Sequence, residues 1–189
     1  MKQSLGAKTL VFPTPVLIVG TYDGAGKPNI AAVAWGGICC SKPPAVAISL
    51  RAATYSHGCI VANQAFTVNI PSVSQVHEAD YVGIYSGRSE NKFEALGLTP
   101  VRSELVHAPY IQEFPLVLEC KLIHTIEIGL HTQFIGEILD VKAEPAILDA
   151  EGRVSVKKLR PFSFSPSDHG YYEVSEFVAK GFSVGAKKQ

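Results

Sequence analysis

The stretch FPLVLECKLIHTIEI, running from Phe114 to Ile128, decides the fold class. One parity reads Phe114, Leu116, Leu118, Cys120, Leu122, His124, Ile126 and Ile128, while the other holds Glu119, Lys121, Thr125 and Glu127. Side chains of a strand alternate between its faces, so this pattern predicts a long strand with one face in a core and one face largely polar. Residues 130–142 continue as a second strand, with Gly129 as the break. Upstream, Pro15–Tyr22 and Asn29–Trp35 flank the turn-rich Asp23-Gly24-Ala25-Gly26-Lys27-Pro28, which predicts a hairpin. Ala45–Arg51 and Phe66–Ile70 add two more strands.

Helices are fewer and short. Thr54–Asn63 places Tyr55, Cys59, Ile60 and Asn63 at helical spacing, and Ser72-Val73-Ser74-Gln75 is a capping box opening a helix to about Tyr81. A short turn over Ser89–Leu96 ends at Gly97, a residue suited to the left-handed closing position. Many strands with short helical insertions predict a mainly β, antiparallel barrel. Its length, 189 residues, suits a single domain, 1–189. The Lys187-Lys188-Gln189 tail reads as solvated.

Composition narrows the function. Apolar residues make up 47% and charged residues 18%, enough to bury a core and too apolar for disorder. Seventeen basic residues balance seventeen acidic ones, which argues against nucleic acid or an anionic membrane as partner. Leu10–Gly20 is apolar but broken by Pro13 and Pro15, too short to span a bilayer and without a cleavage pattern. Cys39, Cys40, Cys59 and Cys120 lack C-x-x-C spacing and read as reduced, mostly buried thiols of a cytoplasmic protein, the adjacent pair as small hydrophobes rather than a redox couple. The histidines show no paired metal-ligand spacing, so no metal is expected. G-x-G-x-x-G, a P-loop and G-x-S-x-G are all missing.

One constellation carries chemistry. In Ala45–Arg51, Ser49 and Arg51 share a face while Val46, Ile48 and Leu50 point the other way, and Thr54-Tyr55-Ser56 opens a helix directly afterwards. A hydroxyl, a guanidinium and free helix N–H groups make a phosphate receptor. Taken alone, the stretch reads first as Thr54 capping a helix and Arg51 in a surface ion pair. A second feature shifts the weight: Asn29, Ala31, Val33 and Trp35 fall on one strand face, and small residues between an amide and the sole tryptophan leave room for something flat. The same tryptophan reads equally as plain core.

These stretches together resemble the flavin reductase-like family with the FMN-binding split barrel, and within it the flavoredoxins. The resemblance lies in Pro28–Gly37, in Pro43-Pro44 leading to Ile48-Ser49-Leu50-Arg51 and Thr54, and in Ala65–Pro71. Asn91-Lys92-Phe93, His131–Ile138, Pro161, Phe164, Tyr171-Tyr172 and Gly181-Phe182 extend it over nearly the whole chain. It implies an antiparallel split barrel and a homodimer, with one non-covalent FMN per subunit near the interface. By the same resemblance, Ser49, Arg51, Thr54, Tyr55 and Ser56 hold the phosphate. Lys92 lies near the ribityl phosphate or ring edge, Asn29 and Trp35 meet the flavin, and Phe164 packs on it. His131 matches the histidine of the pattern G-D-H-T-x-F-x-G-E-V, near the flavin and a nicotinamide, and is the candidate catalytic group. Here Leu130 stands where the family often has Asp. On its own strand, His131 reads also as a structural histidine, as does His124.

The expected function is electron transfer through FMN, with a redox partner protein or NADH or NADPH as donor. The alternative is an NAD(P)H:flavin reductase that hands reduced FMN to a partner. From another class, a split-barrel module without flavin remains open as a scaffold or haem binder.

Overall fold

A computed structural model describes residues 1–186; the Lys187-Lys188-Gln189 tail lies outside them. The strands are β1 (Thr14–Pro15), β2 (Leu17–Tyr22), β3 (Pro28–Val33), β4 (Gly36–Ser41), β5 (Pro44–Arg51), β6 (Ala65–Ile70), β7 (Pro100–Arg102), β8 (Pro109–Ile111), β9 (Leu116–Ile128), β10 (His131–Ala143), β11 (Phe162–Phe164) and β12 (Tyr171–Glu173). The helices are α1 (Tyr55–Asn63), α2 (Val76–Ile84), α3 (Lys92–Leu96) and α4 (Val156–Leu159). Seven strands form one antiparallel sheet in the order β3-β2-β6-β9-β10-β5-β4. The terminal strands β3 and β4 are not paired with each other, so the sheet curls without closing. A smaller sheet, β1-β11-β12, ties the start of the chain to its end.

The local chemistry explains the turns. Asp23 Oδ1 accepts the amides of Ala25 and Lys27 at 2.8 and 2.9 Å, which folds the β2–β3 connection. Gly129, at φ +51°, makes the tight turn between β9 and β10. The expected capping box is present: the Ser72 amide donates to Gln75 Oε1 at 2.8 Å. It opens a short 3₁₀ turn, Val73–Gln75, that runs on into α2. Gly97 closes α3 at φ +63°.

Two apolar cores sit on opposite faces of β2. Leu17 and Val19 point into the curl of the sheet with Val46, Ile48, Phe66 and Phe134. Val16 and Ile18 point the other way, beneath α2 and α3, with Ile30, Val82 and Phe93. At roughly 1.5–3 kcal/mol for each buried large side chain, this double burial makes β2 the anchor of the fold.

Three expectations need correction. β9 does not keep a polar face throughout. Glu119 is fully buried beside Thr67 of β6, and its Oε2 lies 3.2 Å from Lys142 Nζ, although neither carboxylate oxygen takes a well-aligned hydrogen bond. From Ile123 onward β9 is exposed on both faces, because β6 pairs only with Leu116–Lys121 and leaves the rest as an edge. Cys39 and Cys40 are exposed, since they lie on the edge strand β4, an element absent from the periodicity reading; Cys59 and Cys120 are buried as expected.

Candidate functional site

The end of β5 and the start of α1 build the site. Arg51 O accepts both the Thr54 amide at 2.9 Å and the Thr54 hydroxyl at 2.7 Å, a tight turn that launches the helix. Thr54 holds the N-cap position, but its hydroxyl faces back to Arg51 and makes no cap. The first amides of α1 therefore have no side-chain partner from Thr54, and a helix start carries about half a positive charge. A cavity of about 260 Å³ opens there, lined by Arg51, Thr54, Tyr55 and Ser56, with Ala31 and Ala32 of β3 opposite.

Lys92 forms its floor. It is buried, and Nζ donates to Ile30 O at 2.8 Å and to Val82 O at 2.9 Å. An ammonium has three donors, so one is left for the cavity. Burial holds its pKa down, to about 8. Asn29 stands behind the wall rather than in it: its Nδ2 donates to Ser56 Oγ at 2.8 Å and Thr21 Oγ1 at 3.2 Å, which fixes α1 to the hairpin. Residues 83–87 complete its lining. There Gly87 is obligatory, because a Cβ would sit 2.0 Å from Asn29 Oδ1 and 2.8 Å from Tyr55 Cδ1.

A second cavity, about 290 Å³, shares Ala32, Gly83 and Ile84 with the first. It is more apolar, with Val16, Phe164 and Tyr171 on its walls. Tyr171 donates to Asp80 Oδ1 at 2.9 Å, and burial leads in pushing its phenol up to about 12. Phe164 stacks on His169, ring centroids 6.2 Å apart. Ala32 and Gly83 border both chambers, and a Cβ on Gly83 would lie 3.5 Å from Ala32 Cβ.

The residues expected from sequence thus separate into groups. Arg51, Thr54, Tyr55, Ser56 and Lys92 line the first cavity, and Phe164 lines the second. Ser49 and His131 line neither; the register sets His131 against Arg51 and Gln133 against Ser49, so these four share the sheet face opposite Ile48 and Leu50, and of them only Arg51, at the end of β5, reaches the first cavity. Trp35, half-buried after β3, also lines neither cavity, and its carbonyl accepts the Ser49 amide at 2.8 Å. Sequence reasoning missed Gly83, Gly87 and Asp80. Of these, only Gly87 carried a usable signal, the Ser86-Gly87-Arg88 turn placed just before Lys92. Among the described residues, no group of three metal-ligating side chains assembles, and no helix is long and apolar enough to cross a membrane.

A curled antiparallel sheet left open between its end strands, with an anion-ready helix start beside an apolar chamber, defines a class that comparison identifies. Residues 9–156 match the flavin reductase like domain, and the chain belongs to that family. It is similar to the flavoredoxin of Desulfovibrio vulgaris (Miyazaki F), with 55% identity, 98% of this chain and 100% of that one covered, and a TM-score of 0.94. A flavoredoxin from Methanosarcina acetivorans matches at 28% identity over 98% and 97% of the two chains, TM-score 0.91. A Shewanella frigidimarina protein described as having a split barrel domain shares the fold at 23% identity over 90% and 86%, TM-score 0.80. The split barrel expected from sequence is the fold observed.

Proposed function

We propose that the chain, as one unit over residues 1–189, binds FMN without a covalent link and passes electrons through it in the manner of a flavoredoxin. The observation that carries this reading is the first cavity, where Arg51, the start of α1 and the buried Lys92 converge. A phosphate near the dianion state is costly to bury uncompensated, and these groups offset that charge. The flat, largely apolar ring suits the second chamber, which shares Ala32, Gly83 and Ile84 with the first, with Phe164 packing on it. When bound, the flavin supplies the redox chemistry, while the protein supplies orientation and electrostatics.

Each chain residue has a defined task. Arg51 and the amides of Tyr55 and Ser56 hold the phosphate, and Asn29 holds Ser56 in place. Lys92 directs its remaining N–H toward the ribityl phosphate or ring edge. Ser49, Trp35 and His131 lie outside both cavities and meet the flavin only across an interface between two copies. The apolar surface left exposed near them, Ile38 on β4 with Ile126, Ile128 and Leu130 at the β9–β10 tip, suits such a homodimer. We place the protein in the cytoplasm, where the exposed Cys39 and Cys40 stay reduced.

Leu130 before His131, in place of the acidic residue frequent in the reductase pattern, favours a carrier over an NAD(P)H:flavin reductase. The test is direct. Purified protein should be yellow, and heat should release FMN. Mixed anaerobically with NADH or NADPH, it should stay yellow and then bleach with a ferredoxin-type donor. Rapid bleaching by the nicotinamide supports the reductase instead. Colourless protein that takes up no FMN leaves a split-barrel module without flavin.

A further inference from the structure

The segment after β12 is tied to the body only at its start. The Val174 amide donates to Pro161 O at 2.8 Å, and from Ser175 to Ala179 no backbone N–H or C=O has a protein partner among the described residues. Phe177 is 82% exposed, Val178 93% and Phe182 wholly so. An apolar run this bare marks a contact surface. The stretch beneath it shares a cavity of about 1020 Å³ with Ser175–Val178 and is mainly charged, with Asp149, Arg153, Lys157 and Arg160 against Val154 and Val156.

A matching deficit lies elsewhere on the same chain. β6 pairs with β9 only over Leu116–Lys121, so from Ile123 to Ile128 one edge of β9 has no strand beside it among the described residues. Ile126, Ile128 and Leu130 are exposed there. An open edge with apolar side chains recruits a strand. The outer edge of β4 is open too, but Ile38 is its only large apolar side chain.

The segment does not cover the β9 edge of its own subunit. Pro161 bridges Ser72, close to Ile70, which pairs with Leu116, so the segment leaves from the base of the β9–β10 hairpin. The open edge is at the tip, roughly 25–40 Å along the strand at ~3.3 Å per residue.

We propose, resting on the homodimer read above, that Val174–Val184 is an exchanged arm, which adds a strand to the Ile123–Ile128 edge of the second copy and seats Phe177 and Phe182 on its isoleucines. A two-fold axis meets both deficits at once, since each copy gives one arm and receives one. Pairing of β9 with β9 fills the edges but leaves both arms bare. At roughly 150–250 Å² for each phenylalanine, the four in a dimer remove about 600–1,000 Å² from water. With a similar area of the faces they cover, the total reaches the ~1,200–2,000 Å² of a stable interface.

The experiment puts photoreactive p-benzoylphenylalanine in place of Phe177 in the full chain, and compares the sedimentation of wild type with Phe177→Asp/Phe182→Asp. Irradiation should join two subunits, with the cross-link mapped by mass spectrometry to residues 123–130. The double variant should keep the wild-type circular dichroism, since both side chains are exposed, and weaken dimerisation at least ~100-fold. Cross-links confined to one subunit, or joining subunits elsewhere, overturn the proposal, as does a double variant that dimerises like wild type. A dimer lost in Ile126→Asp but kept in the double variant overturns it too, and gives the edge to β9 of the other copy. Wild type that sediments as a monomer overturns the homodimer reading itself, so the two failures are distinct.

Discussion

Lys92 provides the sharpest test of the phosphate site, because one group makes two pH effects of opposite sign. In the free protein, burial holds its pKa down from 10.5 to about 8. A bound anion favours the charged ammonium and raises that value, so above pH 8 binding must take up a proton. At pH 9.5 about 3% of the free protein still carries the charge, against about 90% at pH 7. FMN affinity should therefore fall about 30-fold over that interval, close to 2 kcal/mol. Apoprotein stability should move the other way. The folded pKa lies below the unfolded one, so between about pH 8 and 10.5 the unfolded state binds more protons and stability rises with pH. Fluorescence titration of FMN at half-unit steps, with thermal melts of the apoprotein alongside, reads both. Lys92→Met should abolish both slopes. Affinity that stays flat from pH 7 to 9.5 in wild type, or a slope unchanged in Lys92→Met, would refute the reasoning.

Arg51→Ala should weaken FMN by roughly 1.5–3 kcal/mol through loss of a charge-assisted contact, and riboflavin, which lacks the phosphate, far less; equal losses for both ligands in calorimetry would remove Arg51 from the phosphate. Gly83→Leu should put a bulky side chain where the two chambers meet and cut FMN affinity at least ~10-fold with no fall in apoprotein Tm, since leucine suits a helix better than glycine. Lys142→Met should destabilise by about 3 kcal/mol in urea unfolding, because it strands the buried Glu119, and Glu119→Gln added to it should restore most of the loss. Trp35→Ala should release cofactor while the apo domain keeps its strand signal in circular dichroism; an unfolded apoprotein would mark Trp35 as core.

Much of the frame was legible because it rests on local rules. The β2–β3 hairpin follows from the Asp23–Gly26 turn, α1 from the helical spacing of Tyr55, Cys59, Ile60 and Asn63, and the 72–75 cap from its Ser and Gln. The misses share a cause: burial in this fold is decided by what lies across the sheet. Glu119 has the alternation of a solvent-facing residue, yet the chain folds over it and Lys142 arrives from β10. β4 contains Gly36, Gly37 and two cysteines, a poor strand by propensity, and is held by pairing with β5. The site was read in the same uneven way. Arg51 and Thr54–Ser56 are neighbours in sequence, so their cluster was visible; Gly83 and Gly87 matter only because α2 folds back over β3.

The two strands of the β9–β10 hairpin change neighbours along their length. The base of β9 is bonded to β6, whereas the tip half of β10 is bonded to β5. The register slips between Ile135 and Gly136, and a Cβ at Gly136 would strike Phe66 at 2.5 Å. Ala31 and Ala32 belong to one arm of this calliper, Leu50 and Arg51 to the other, and the first cavity is the gap between the jaws. Coiling of a single hairpin thus sets the jaw width, and a substitution at its pivot can loosen grip on a ligand it never touches.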